Sequence, residues 1–393
     1  MIGKNQICRK INSTARRALH LLGSSRYAHF HRNRVINQEV VDLHGTAYER
    51  GFTHGKLFKS IIPELIERNL YSRLGKADRS LLETYRERLL AFHSRRFPQV
   101  VEEVRGIALG AEVPFWKVFD YNLSSVLLLD LFPVAEDNCT SIWLRSIDGE
   151  YIHGGTLDQG LPDGSQLIKR VFPKNGQPYL GEMIVGTVWS PFGMNAAGLT
   201  LGGSSVNSLK TQGICLEGTN ALFLTGDILE SACSVEEAKK LCMSHHTIVP
   251  LNAGNNWIIA DANGHVTKVE IAAGNYDYVV PDGGLLLSTN HFTSEKMEQL
   301  NRHDTAYVEQ LHQSSVARYH RLKNHFEDRS KYTFDGLREI LRSHEQPGAI
   351  CRHRGRDGEL GQTTISYIMI PRKRMHYWIG NSCEGGPREV AMA

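Results

Sequence analysis

The spacing of apolar residues changes near position 139. Upstream, apolar residues recur every three to four positions, the period of a helix; downstream they tend to alternate, the period of a strand. Residues 38–43 predict a short alternating strand, and residues 44–51 open a helix. In that helix Leu57, Phe58, Ile61, Ile62, Leu65 and Ile66 recur at helical spacing as one apolar face. Helical patterns continue over 80–94, 97–110 and 115–130, with Pro98 placed for a helix start and Gly110 for a helix end.

Beyond residue 139, strands are predicted at 140–145, 151–156, 166–172, 182–189, 198–203, 255–260, 265–271, 277–280, 284–288, 363–370 and 376–380. Asp148-Gly149, Asn175-Gly176, Asn263-Gly264 and Asp282-Gly283 read as hairpin turns. Helices at 219–231, 235–245, 303–327 and 334–344 interrupt the strands. Ser234 and Glu237 make a capping-box pattern, and Thr333 is placed to cap the last helix. This order predicts an α+β protein with helices packed outside large antiparallel sheets, in one domain over residues 37–393. No βαβ rhythm, internal repeat or low-complexity linker follows residue 38.

Composition places the chain among globular proteins, with 41% hydrophobic and 22% charged residues in 393. The net charge of +3 implies no strong electrostatic partner. Residues 1–38 contain no Asp or Glu but carry Lys4, Arg9, Lys10, Arg16, Arg17, Arg26, Arg32 and Arg34. A basic, acid-free lead-in over 1–36 is compatible with an organelle import signal, of the mitochondrial type, or with a solvated tail. No apolar run is long enough for a membrane-spanning helix. The seven cysteines are odd in number, widely spaced and without a CxxC pair. They read as reduced thiols of an intracellular, cytoplasmic protein, not as a disulfide framework or a zinc site. No metal and no cofactor is expected.

Cys139 stands where the period changes. It opens an apolar strand, and Asp158 follows 19 residues later (158 − 139) at the end of the next strand. One reading is an ordinary buried thiol, the common fate of cysteine. The other is a nucleophile. If the bond between Asn138 and Cys139 is cut, the new α-amine becomes available as a base. An α-amine titrates at about 7.7–8.0 and a thiol at about 8.5, so one residue can supply both nucleophile and base.

Cys139-Thr140-Ser141, Gly149 and Gly154-Gly155-Thr156-Leu157-Asp158 resemble the N-terminal-nucleophile (Ntn) hydrolases. Within them the chain is most similar to the acyl-coenzyme A:6-aminopenicillanic acid acyltransferase family, also called isopenicillin N acyltransferase-like. Further matches run in order: residues 43–51 with His54-Gly55, residues 103–111, Gly193 to Leu199, Thr289-Asn290-His291-Phe292, residues 315–319, residues 350–353 and residues 381–385. The resemblance covers roughly residues 40–388.

It implies a four-layer αββα sandwich of two mainly antiparallel sheets with a helical N-terminal part. It also implies a precursor that cleaves itself before Cys139, leaving a heterodimer of the two fragments. Cys139 would be the nucleophile, Asp158 would hold the α-amine, Asn290 would donate to the oxyanion, and Arg318 would stand beside the nucleophile. The implied reaction is amide hydrolysis or acyl transfer through an acyl-Cys139 intermediate, on a small-molecule amide or an acyl-coenzyme A. The chain departs from the family's pattern at Asn138, where glycine is usual. It differs from the bile salt hydrolases at Gly155, where they carry arginine.

Other constellations are weaker. A non-catalytic binding protein of the same fold, with the Asn138–Cys139 bond intact, is the main alternative. Cys351 and His353 can share a strand face, which keeps a papain-like thiol–imidazole pair as a lesser one. His245-His246 reads as solvated or helix-end histidines, Asn195 as a turn residue, and the glycines of residues 198–205 as aids to close strand packing. Arg352-His353-Arg354-Gly355-Arg356 reads as a solvated loop, and no aromatic interleaving supports nucleic-acid binding.

Overall fold

A computed structural model describes residues 40–131, 139–159, 165–206, 215–248, 251–272, 274–303, 305–355 and 361–392. The basic lead-in over 1–36 and Asn138 lie outside the described residues.

The chain opens with β1 (Val40–Gly45) and a helical stretch: α1 (Ala47–Leu57), α2 (Ile62–Asn69), α3 (Lys76–Arg96), α4 (Pro98–Ala111), α5 (Phe115–Asn122) and α6 (Ser124–Leu131). Thr46 and Glu49 form a capping box at the start of α1, and Pro98 occupies the first turn of α4. The apolar stripe over 57–66 does not form one helix. The helix ends at Leu57, which is 48% exposed, and α2 starts at Ile62 with Pro63 in its first turn. A proline ring inside a continuous helix would clash with the carbonyl four residues back. Likewise the pattern over 115–130 splits at Leu123 into α5 and α6.

The remainder alternates strands with helices: β2 (Thr140–Arg145), β3 (Tyr151–Gln159), β4 (Gln166–Pro173), β5 (Tyr179–Ile184), β6 (Gly193–Asn195) and β7 (Thr200–Val206); α7 (Ala221–Ser231) and α8 (Val235–Ile248); β8 (Gly254–Ala260), β9 (Val266–Ala272), β10 (Asn275–Val279) and β11 (Leu285–Ser288); α9 (Glu295–Glu298), α10 (Ala306–His325) and α11 (Phe334–Leu341); and β12 (Gln362–Ile370), β13 (Arg374–Ile379) and β14 (Arg388–Val390). The short β6 and β14 were not predicted. The strand predicted at 182–189 lies instead at β5, because Gly186 turns the chain at φ +88°.

Two sheets result. The eight-stranded sheet runs β1-β4-β5-β6-β7-β8-β9-β10, and the six-stranded sheet runs β11-β2-β3-β12-β13-β14. Pairing is antiparallel except between β1 and β4. Asp282-Gly283 is a turn, but it does not close a hairpin of one sheet, since β10 and β11 belong to different sheets.

The apolar clusters define four layers. Leu224, Ile228 and Leu229 of α7 with Ala238 and Cys242 of α8 cover Leu201, Trp257, Ile259 and Ile271 on the eight-stranded sheet. Leu322 of α10 and Leu337, Ile340 and Leu341 of α11 cover Ile142, Leu144, Ile152 and Ile368 on the six-stranded sheet. Between the sheets, Leu157, Ile365, Tyr367 and Met375 meet Ile168, Leu180 and Met194, while Trp143 and Leu286 meet Ile258 and Ala260. This is the αββα sandwich that the resemblance implies.

Glycines set how closely the layers approach. A Cβ on Gly202 would lie 2.2 Å from the Tyr367 hydroxyl, and one on Gly155 would lie 2.8 Å from the same atom. The Tyr367 ring stacks on Phe192 with centroids 3.8 Å apart. His153 of β3 bridges the sheets, with Ser141 Oγ 2.9 Å from Nε2 and Thr200 Oγ1 3.0 Å from Nδ1.

Candidate active site

Strand alternation decides which way the candidate residues face. Ile142 and Leu144 of β2 pack under the outer helices, so Ser141 and Trp143 face the other sheet. Cys139 is 7% exposed and joins the inter-sheet cluster with Leu157 and Tyr367. The Tyr367 phenol is pushed above its ordinary range, by burial first, with the neighbouring Cys139 a lesser cause.

The backbone of Cys139 is held from the helix side. Arg318, on α10 and fully buried, donates through Nη1 to the Cys139 carbonyl at 2.8 Å and to Thr140 Oγ1 at 3.1 Å. Its Nη2 donates to Asn290 Oδ1 at 2.8 Å. One guanidinium therefore ties the start of β2 to the segment after β11. Arg318 is therefore not a solvated arginine of a surface helix.

Asn290 is clamped as well as bridged. Its Nδ2 donates to the Ser205 carbonyl at 2.8 Å, engaging one of two amide hydrogens. Asn256 donates to the carbonyls of Thr289 and His291, at 2.9 and 2.7 Å. Glu270 accepts from the backbone N–H groups of Thr293 and Ser294, at 2.9 and 3.0 Å. Lys268 neutralises Glu270 at 2.8 Å, both side chains being buried.

Asp158 is fully buried near the end of β3. Thr140 pairs with Thr156, so Asp158 lies two residues further along, at the Cys139 end of the strand pair. Its Oδ1 accepts from Thr363 Oγ1 at 2.6 Å, and Thr363 Oγ1 in turn accepts from the backbone N–H of Arg352 at 2.9 Å.

The fold thus gathers Cys139, Asn290 and Arg318 into one hydrogen-bonded chain and sets Asp158 at the same end of β2 and β3. Sequence reasoning missed Thr140, Thr363, Asn256 and Glu270. Thr140 stood inside the quoted motif. The other three carried no local signal, because their partners are distant in the chain.

The remaining candidates resolve differently. Asn195 donates to the carbonyls of Leu229 and Ala232 and accepts from the Leu199 N–H, tying the β6–β7 turn to α7. His245 lies in the last turn of α8 but is buried, not solvated; it stacks on Phe97 at 4.9 Å, and burial lowers its pKa to about 4. Arg352 is also buried, so the run over 352–356 is not simply a solvated loop. Cys351 Sγ lies 3.9 Å from His353 Nε2, but Cys351 is only 1% exposed and the same nitrogen is 3.2 Å from Cys383 Sγ. That crowding disfavours a papain-like pair.

Residues 180–381, just over half of the chain, match the family of acyl-coenzyme A:6-aminopenicillanic acid acyl-transferase. The chain is 25% identical over 203 residues to the 40 kDa form of acyl-coenzyme A:6-aminopenicillanic-acid-acyltransferase from Emericella nidulans. That match takes in 51% of this chain and only 56% of the relative's length. Among solved structures, a variant of conjugated bile acid hydrolase from Clostridium perfringens aligns with TM-score 0.42 and 17% identity, over 65% of this chain and 92% of that one. The Caenorhabditis elegans ortholog of N-acylethanolamine-hydrolyzing acid amidase aligns with TM-score 0.41 and 18% identity, over 61% and 99% of the two chains. Penicillin V acylase from Agrobacterium tumefaciens aligns with TM-score 0.37 and 14% identity, over 64% and 84%. Structural likenesses of this degree carry no argument about activity.

Proposed function

The chain belongs to the acyl-coenzyme A:6-aminopenicillanic acid acyl-transferase family, and on that premise we propose that it is a self-processing thiol enzyme with Cys139 as nucleophile, acting as an amidohydrolase or acyltransferase. The observation that carries this reading is the buried Arg318, which holds the Cys139 carbonyl at 2.8 Å and Asn290 Oδ1 at 2.8 Å. A cysteine that served packing alone would not need its backbone fixed by a buried cation, whose desolvation is costly unless it is well bonded.

Processing begins with attack of Cys139 Sγ on the carbonyl carbon of Asn138. The acyl group moves from nitrogen to sulfur, and water then hydrolyses the thioester. The products are a carboxylate on Asn138 and a free α-amine on Cys139. In turnover that amine takes the Sγ proton as the sulfur attacks an amide or thioester carbonyl. Asp158, at the same end of the strand pair, holds the resulting ammonium. The second amide hydrogen of Asn290 would donate to the oxyanion, a role in which loss of one donor typically costs about 10²–10³ in rate. The ammonium then protonates the leaving amine or coenzyme A thiolate, and water or an acceptor amine resolves the acyl-Cys139 thioester.

Denaturing electrophoresis of the purified protein tests the first step. Processing gives a 255-residue fragment (393 − 138) and a complementary piece of at most 138 residues. An uncut chain would favour a non-catalytic member of the fold. A screen of amide and acyl-coenzyme A substrates on processed protein tests the second step. Cys139→Ala should abolish both cleavage and turnover, and turnover retained in that variant would sink the assignment.

A further inference from the structure

Four metal-ligating side chains far apart in the sequence meet at one end of the six-stranded sheet. His344 follows α11, Cys351 and His353 lie on the segment leading into β12, and Cys383 follows β13. One ligand atom from each lies within 4.8 Å of the other three. His344 Nε2 is 3.1 Å from His353 Nε2, which is 3.2 Å from Cys383 Sγ and 3.9 Å from Cys351 Sγ. A tetrahedral zinc ion has bonds of about 2.0–2.1 Å to nitrogen and about 2.3 Å to sulfur, so its ligand-to-ligand edges are roughly 3.3–3.8 Å. The three closest spacings given, 3.1, 3.2 and 3.9 Å, bracket that range, and a bound ion would draw in the wider pairs, which reach at most 4.8 Å. We propose that His344, Cys351, His353 and Cys383 form a structural zinc site.

The surroundings are built to hold these groups. Asn381 Nδ2 approaches Cys351 Sγ at 3.4 Å as a donor, the contact that steadies a metal-bound thiolate. Glu384 Oε1 lies 3.8 Å from His353 Nδ1, on the far side of the ring from the cluster. From that side its charge favours the proton on Nδ1, which leaves Nε2 for a metal. The backbone N–H groups of Ile350 and Cys351 both reach the Ser343 carbonyl, at 3.0 and 2.9 Å, next to His344. Arg342 donates to the carbonyls of Cys383 and Gly385, at 3.1 and 2.9 Å. Each ligand therefore sits on backbone anchored to another ligand's segment.

Two thiolates with two imidazoles favour zinc over magnesium or calcium, which prefer oxygen. Four protein ligands close the coordination sphere, which marks a structural rather than a hydrolytic centre. The site also reaches the candidate active site. Arg352 stands between two ligands, its N–H donates to Thr363 Oγ1, and Thr363 donates to Asp158. Zinc would steady Asp158 through that path as a positioning element and would take no part in the chemistry. The assignment of the metal is independent of any role for Cys139.

The test is elemental analysis of the full-length protein, purified without chelator and dialysed after exposure to zinc. About one zinc per chain is expected, as for a closed structural site. Cys351→Ser and Cys383→Ser should each lower zinc content at least about tenfold. Replacing the zinc with cobalt in the wild-type chain should give the visible absorption of a tetrahedral ion with thiolate ligands. That measurement stands even if the variants fail to fold. Chelation should lower the thermal midpoint of the wild-type protein. A wild-type chain that holds no zinc, variants that keep it, or a Cys351–Cys383 disulfide in non-reducing peptide maps would each overturn the site.

Discussion

Arg318 joins segments 179 and 28 residues away from it in the chain. Its planar fork explains why no other side chain serves: two nitrogens point along fixed directions at two acceptors. Arg318→Lys keeps the charge but not the bridge. It should slow fragment formation and turnover by about 10²-fold, measured per folded protein, in line with loss of one fixed donor at a reacting centre. Unchanged rates would contradict the role. A second residue-scale prediction concerns His54. Its Nε2 accepts from the Gly186 N–H at 2.9 Å, which requires an unprotonated nitrogen. Burial first, and the charge of Lys169 second, lower its pKa to about 3. The unfolded chain protonates this histidine near 6.5, while the folded protein resists until about 3. Stability is therefore present above about 6.5 and is lost as pH falls toward 3, by up to about 1.4 kcal/mol per pH unit from this group. Urea midpoints followed from pH 7 to 4 should fall less steeply in His54→Gln, and equal slopes would count against the assignment.

Elements are where local pattern and tertiary context part. The periods of two and 3.6 placed most of the strands and helices, because half-buried sheets and amphipathic helices write themselves into single segments. The helix break before Pro63 came from a proline the apolar stripe overran. The crossing from β10 to β11 was not legible, since a turn signal does not say which sheet the next strand joins. Glycines carried a message that periodicity alone did not interpret. Gly51 and Gly55 on α1 face Gly106 and Gly110 on α4, and an added Cβ at any of the four would lie 2.0–2.2 Å from a carbonyl oxygen of the other helix. The two helices therefore meet backbone to backbone. Gly106→Ala should force them apart and destabilise the protein by about 3 kcal/mol, near the upper end for overpacking. Denaturant unfolding of the processed protein checks this, and a loss below about 0.5 kcal/mol would mean that the pair can slide.

At the scale of the whole molecule, the proposed cut falls between two parts that share a sheet and polar contacts. β1 pairs along its length with β4, Arg50 bonds Glu230 at 3.0 Å, and Asn122 bonds Gly186 and Val188. These contacts join residues before position 139 to residues after it. The fragments should therefore co-elute as one species under native conditions and unfold in one transition. Separate elution would contradict an interface of this kind. The sequence by itself determined the α+β class and the change of period at Cys139 through local spacing, and its ordered motifs, through the family resemblance, nominated the four candidate residues. Only the tertiary structure decided that Arg318 is buried on Cys139, that Thr363 backs Asp158, and that two histidines and two cysteines from three segments meet. The absence of a CxxC pair had argued against zinc, but that rule concerns ligands supplied by neighbours in the chain. Here the pairing of β12 with β13 brings Cys383 to the segment before β12, and the bonds of Ile350 and Cys351 to Ser343 bring in His344; such partners are set by how the elements pack rather than by any one segment.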